Sequence, residues 1–215
     1  SDFSFSVSLT PPYSLFDKKD YSDPSLPMAD RYRFIEYHKW KYSGKVFLPL
    51  MNPATVKRTP VLMARVEGGI INSYNKYKRS PFGTYYMGGD MMSGSFGNYM
   101  NETIGLRGYK NGSIAGANYD YAYSYMKASL ELRYPLIFEQ STTVWVLGFA
   151  EAGNAWADIS RYNPFDLKRS AGIGVRVMMP MIGLLGLDWG YGFDRPNGYQ
   201  ERGGSNIHFV LGRDL

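Results

Sequence analysis

The residues with the most chemical capacity lie in a stretch rich in glycine, asparagine and serine, Asn101 to Ser113, whose centre reads Gly105, Leu106, Arg107, Gly108, Tyr109. A buried arginine needs carboxylates, and its planar, permanently charged fork engages two of them at once. Read from the residues alone, Arg107 fits a solvated external hairpin as well as a buried ion pair. The other candidates carry less chemistry. His38 and His208 stand singly, without metal-ligand spacing, and read as structural. Gly172 to Val177, "GIGVRV", is a glycine pair opening a strand, not a phosphate loop before a helix. Asp188 and Asp194 stand six residues apart on one strand without a nucleophile, so they read as charges opposite Arg176 rather than as paired acids for hydrolysis. No Gly-x-Ser-x-Gly elbow occurs. The chain is expected to have no catalytic site, no metal and no cofactor.

The elements that must position Arg107 are strands, because the apolar residues recur with period two. Phe3, Phe5, Val7 and Leu9 alternate with serines. Between 31 and 50, Tyr32, Phe34, Trp40, Tyr42, Val46 and Leu48 alternate with Arg31, Arg33, Lys39, Lys41 and Lys45, and Glu36 and His38 interrupt the apolar row. Leu62, Ala64, Val66 and Ile70 oppose Arg65 and Glu67. Met126 to Tyr134 alternates with Lys127, Ser129, Glu131 and Arg133. The segments around 143–156, 169–179 and 184–194, and the last strand, 206–215, complete a count of eight strands with no convincing helix. Residues 143–156 are apolar on both faces, so the pattern leaves open which way Glu151 points.

Composition agrees with strands and turns: 19 tyrosines, 12 phenylalanines and 24 glycines in 215 residues. The absence of cysteine excludes a disulfide scaffold and a cysteine zinc site. A net charge of +5 is mild, and the charges are scattered, so no nucleic-acid partner is expected. No apolar run reaches the ~20 residues of a membrane helix. No signal peptide opens the chain, and Ser1 begins directly on a strand-like pattern, as a mature or excised fragment would.

Long polar connections (11–30, 73–117, 154–167, 194–205) alternate with shorter ones (49–60, 135–141, 180–184), the arrangement of outer-membrane barrels. A soluble sandwich or lipocalin-like barrel would alternate as well, but with its apolar face inward. Here the apolar rows carry aromatics near their ends (Tyr32, Tyr134, Trp189, Tyr191), as an aromatic girdle does. The opposite rows hold Gly, Ser and charges suited to a lumen.

Five fragments then appear in order: "PFGTYYMGGD" at 81–90, "GLRGY" at 105–109, "LELRYPL" at 130–136, "GFAEAGNAW" at 148–156 and "RSAGIGVRVMMPMIGLLGLDWGYGF" at 169–193. Together they resemble the C-terminal half of the BamA-type outer-membrane surface-antigen family, the barrel assembly proteins. Leu106, Arg107, Gly108 and Tyr109 fit that family's hydrophobic-Arg-Gly-aromatic tetrad. Phe149, Ala150, Glu151, Ala152 and Gly153 fit its aromatic-x-Asp-x-Gly signature, with Glu in place of Asp.

The resemblance implies an all-β antiparallel meander of about eight strands, either a small transmembrane barrel or half of a sixteen-stranded one. Residues 1–215 would be the C-terminal barrel region, with 73–117 as an inward loop, and the POTRA domains and first barrel strands would be absent. It implies that Arg107 meets Glu151, with Glu131 on the neighbouring strand as second partner, and that Tyr109 wedges the loop against the wall. It implies a Gram-negative outer-membrane protein that inserts other outer-membrane proteins, whose partners are lipids, nascent outer-membrane proteins and accessory lipoproteins. The last strand, with Phe209, Leu211 and Gly212, ends on Leu215 rather than on the family's aromatic residue. Two other classes share parts of the pattern. A patatin-type phospholipase with a barrel anchor would show a serine motif before Ser1. A soluble ligand-binding β-barrel would fold without detergent.

Overall fold

The computed structural model describes residues 1–52, 54–56, 58–90, 101–114, 121–139, 142–180 and 183–212. Eight strands form one antiparallel sheet: β1 (Asp2–Leu9), β2 (His38–Pro49), β3 (Val61–Asn72), β6 (Ser124–Phe138), β7 (Thr143–Trp156), β8 (Lys168–Met179), β9 (Gly183–Gly192) and β10 (Gly204–Leu211). They pair in that order, so the sheet is a meander whose edges are β1 and β10; these two do not pair with each other. Two short strands inside the long loop, β4 (Tyr85–Met87) and β5 (Glu102–Ile104), pair in parallel, and nothing in the hydrophobic period announced them.

The period-two pattern places side chains as it should. Leu130 on β6 pairs with Ala150 on β7, which pairs with Ala171 on β8, which pairs with Tyr191 on β9. That row faces outward, and its large residues are bare: Leu130, Leu132, Tyr134, Ile173, Leu187, Trp189 and Ile207 are all exposed. The alternate row, with Glu131, Glu151, Arg176, Asp188 and His208, is buried. Charge lies inside and hydrocarbon outside, the reverse of a water-soluble barrel.

The stretch between 31 and 50 departs from the expected strand. Met28–Arg31 is one helical turn, residues 32–37 are irregular, and β2 starts only at His38. Arg31 donates to the carbonyls of Tyr21, Asp23 and Tyr77, and Glu36 accepts from the backbone and hydroxyl of Ser14. These contacts fold 10–37 into a loop platform and remove Tyr32 from any strand-borne girdle. Two three-residue 3-10 turns, Tyr13–Leu15 and Ile159–Arg161, complete the helical content among the described residues. Asp194 lies beyond the end of β9. It accepts from the Arg169 backbone and guanidinium instead of facing Arg176. The last strand ends at Leu211, and Leu215 lies outside the described residues.

The loop between β3 and β6 packs on the inner face of the sheet. Tyr85 exchanges backbone hydrogen bonds with Ala122 at 2.8 Å, and Ile71 donates to the Tyr123 carbonyl. Tyr85, Met87, Leu106, Tyr109 and Ile114, all fully buried, form a core with Ile71, Tyr125 and Ala155 of the strands. The loop thus supplies much of the apolar filling that the charged inner rows of the strands lack.

Candidate functional site

At the base of this loop Leu106 and Gly89 exchange backbone hydrogen bonds of 3.0 and 3.1 Å, holding the next residue against the wall. Arg107 is completely buried. Its backbone N–H donates to Glu151 Oε2 at 2.9 Å, and its Nε and Nη2 reach Glu151 Oε1 at 3.1 and 2.8 Å. Nη2 also bonds Glu131, and Nη1 bonds Asp188 Oδ2 at 3.2 Å. The guanidinium carbon lies 3.7 Å from the centre of the Phe149 ring, a stacking contact that adds cation–π attraction. Burial opposes the charge, but Glu151 and Glu131 outweigh it, so Arg107 holds its proton more firmly than a free arginine.

Each acid has a further cation. Lys127 Nζ lies 3.2 Å from Glu151, Arg133 Nη2 lies 2.6 Å from Glu131, and Arg176 grips Asp188 through two bonds of 2.6 and 2.7 Å. Such a network is high in consequence: paired, the charges compensate one another; with one removed, its partners are stranded in a low-dielectric interior.

Glycines set the spacing. Gly108 has φ of +86°, and a Cβ there would stand 2.8 Å from the Gly192 nitrogen and the Tyr191 carbonyl carbon. The backbone therefore lies directly against β9. Gly153, in the second signature, leaves room for the loop: a Cβ would stand 2.5 Å from Met87 Cε and 3.4 Å from Leu106 Cδ1. Tyr109 packs its ring on Gly192 and Gly203 and donates its hydroxyl to the Arg169 carbonyl at 2.7 Å.

The structure therefore brings Leu106, Arg107, Gly108, Tyr109, Glu131, Glu151 and Gly153 together. Phe209 and Leu211 do not join them; they point outward on β10, and Gly212 follows with φ of +72°. Four participants were missed in the sequence. Asp188 had been matched with Arg176 but not with Arg107. Lys127 was visible as a member of a charged row. Phe149 was read as part of a signature, not as the surface under the guanidinium. His208, read as structural, accepts a 2.8 Å bond from the Gly108 N–H. Its place in the inner row of β10 was the signal that could have found it. The site neutralises charge and fixes a loop; its three acids are turned toward cations. Among the described residues no group of three or more His, Asp or Glu is disposed to hold a metal ion.

The Omp85 superfamily domain model matches residues 32–215. Among solved structures, the crystal structure of BamA from Haemophilus ducreyi lacking POTRA domains 1-3 is similar, with a TM-score of 0.54 at 20% sequence identity. The match covers 86% of this chain and 36% of that one, so this chain spans well under half the length of that structure. At that identity the likeness is one of fold. No curated protein matches the chain.

Proposed function

We propose a role for this chain from one premise: it belongs to the Omp85 superfamily. On that premise, residues 1–215 are the C-terminal barrel region of a Gram-negative outer-membrane protein that inserts and folds other outer-membrane proteins. Nascent barrel proteins are its substrates and lipid is its surroundings. Accessory lipoproteins would dock on POTRA domains elsewhere in the protein. The inward loop expected over 73–117, of which 91–100 and 115–117 lie outside the described residues, is held in the lumen by the Arg107 cluster, which does no chemistry.

The observation that most supports this reading is the inverted sheet, with Trp189 and Leu187 bare on one face and Asp188 completely buried on the other. Lipid is the surrounding that makes such a face stable, since apolar area left in water costs ~25 cal/mol per Å². The fixed loop supports it further, because a barrel whose end strands separate needs an internal brace that does not depend on that seam. The fork geometry explains the arginine: an ammonium cannot bond three carboxylates and stack on Phe149 at once.

The test reconstitutes the full-length protein into lipid vesicles and follows protease protection of an unfolded outer-membrane barrel protein added from denaturant. Insertion well above that of empty vesicles is expected. Arg107→Ala is expected to slow it by about tenfold or more, since breaking a buried set costs ~3–5 kcal/mol. Insertion no faster than in empty vesicles would overturn the proposal, and release of fatty acid by the same vesicles would favour a phospholipase anchor instead.

A further inference from the structure

Two side chains of the last strand grip one residue of the loop. The Gly108 N–H donates to His208 Nε2 at 2.8 Å, and the Gly108 carbonyl accepts from Asn206 Nδ2 at 3.0 Å. Residues 206 and 208 share one face of β10, so the strand presents an acceptor and a donor at the spacing of one backbone residue. We infer that this clamp on Gly108 positions the last strand against the inward loop, that it requires a neutral His208, and that protonation of His208 releases it. The consequence for strand insertion rests on the function proposed above; the clamp itself does not.

The chemistry follows from the donor. A backbone amide can only donate, so Nε2 must present its lone pair and the imidazole carries its single proton on Nδ1. A second proton, taken from solvent, would set N–H against N–H. Charged groups of the loop and of the neighbouring strands surround the imidazole. Asp188 stands directly opposite on β9, Glu151 on β7 and Glu131 on β6, and Asp90 of the loop approaches the neighbouring Phe209 nitrogen at 3.5 Å. Facing these four carboxylates are four cations: Arg107 of the loop, Lys127 and Arg133 of β6, and Arg176 of β8. These cations already pair with Glu131, Glu151 and Asp188, so a proton on His208 would add a positive charge to a buried network. His208 is 4% exposed, so solvent does not relieve that charge.

The clamp has mechanical meaning because β10 is an edge strand, paired on one side with β9. Its outward residues Ile207, Phe209 and Leu211 are all exposed, and of its inward residues Val210 packs with Leu184 and Trp145 near the strand's far end. Asn206 and His208 therefore join the strand to the loop at Gly108, beside a weaker 3.5 Å bond from the Phe209 N–H to Asp90. A seam strand that must move to admit a substrate would be held by such a contact at neutral pH and freed in acid.

The experiment is amide hydrogen exchange on the full-length protein in detergent micelles from about pH 8 to about pH 5, corrected for intrinsic rates, with β7 as internal reference. In the wild type, protection of β10 is expected to fall by about fivefold or more across that range while β7 is unchanged. His208→Gln keeps an acceptor that does not titrate, so its β10 should stay protected throughout. His208→Leu should be unprotected at both ends. A flat wild-type profile, a Gln variant that follows the wild type, or full protection in the Leu variant would each overturn the inference. Should the Leu variant not fold, the wild-type and Gln profiles decide between them. No substrate enters this measurement, so a protein that fails to insert anything can still pass it, and one that inserts well can still fail it.

Discussion

At the residue scale the arginine cluster is a problem of charge compensation. Glu151 accepts both from the Arg107 backbone and from its side chain, and Lys127 and Ser129 crowd the same oxygen. Glu151→Gln keeps the shape and removes one negative charge, leaving Arg107 and Lys127 under-compensated. A loss of ~3–5 kcal/mol is expected, read as a lower unfolding temperature on heat-modifiable gels; unchanged mobility at every temperature would count against a buried network. Gly108→Ala tests the backbone instead. The new methyl group meets β9 at 2.8 Å and sits on a φ that L-residues avoid. Strain of this kind costs ~1–3 kcal/mol before the clash is counted, so the loop should lift from the wall while the ion pairs themselves are left chemically intact. Arg107 was legible only through the family resemblance of its Leu-Arg-Gly-Tyr tetrad, since its neighbours alone suit a solvated hairpin equally well. Phe149 was not, because a phenylalanine on a two-faced apolar strand gives no sign of what it stacks against.

At the element scale the long strands from 61 onward were readable because period two was clean in most of them and 143–156 holds a short apolar run. The segment 31–37 was not, although its alternation looked similar. Its polar residues are engaged by a loop far away in sequence: Glu36 by Ser14, with Lys78 3.7 Å away. Alternation alone does not show such partners. The parallel pair β4–β5 is three residues per strand, too short for any period. Its attachment is electrostatic: Glu102 on β5 bonds Lys39 at 2.9 Å and also Lys41, both on β2. Burial would raise the Glu102 carboxyl, but the hydrogen bonds and charges of Lys41 and Lys39 outweigh it and hold it below its ordinary value of 4.5. A depressed carboxylate stabilises the folded state above its unfolded value, and that contribution is lost as pH falls through the folded value. The loop should therefore loosen at β5 only below about pH 4.5, later in acid than the release expected at His208. Hydrogen exchange of Tyr86 and Met87 would report it. In Glu102→Gln that acid step should vanish and protection should be lower throughout; an identical acid step in the variant would show that another group is responsible.

At the scale of the whole molecule the question is why the sheet stays open. An eight-stranded barrel has an interior just filled by its own side chains. Here the inner face already carries Leu106, Arg107, Tyr109 and Tyr85 of the loop, all completely buried against the wall. Closing β1 onto β10 would require expelling that loop and stranding the Arg107 cluster, so the curvature suited to eight strands conflicts with the contents of the lumen. Under the proposed function, free edges in lipid would leave backbone groups unpaired at several kcal/mol each, so the proposal requires strands from outside this chain to cover them. The cysteine-free sequence makes this directly testable. Leu187 and Phe209 are direct partners across β9 and β10, so Leu187→Cys with Phe209→Cys should form a disulfide readily under mild oxidation. Phe5→Cys with Phe209→Cys joins the two edges and should stay reduced in the full-length protein if, as proposed, closing strands lie between them. Efficient oxidation of that second pair within one chain would mean that the eight strands do close, and the loop would then have to lie outside the barrel.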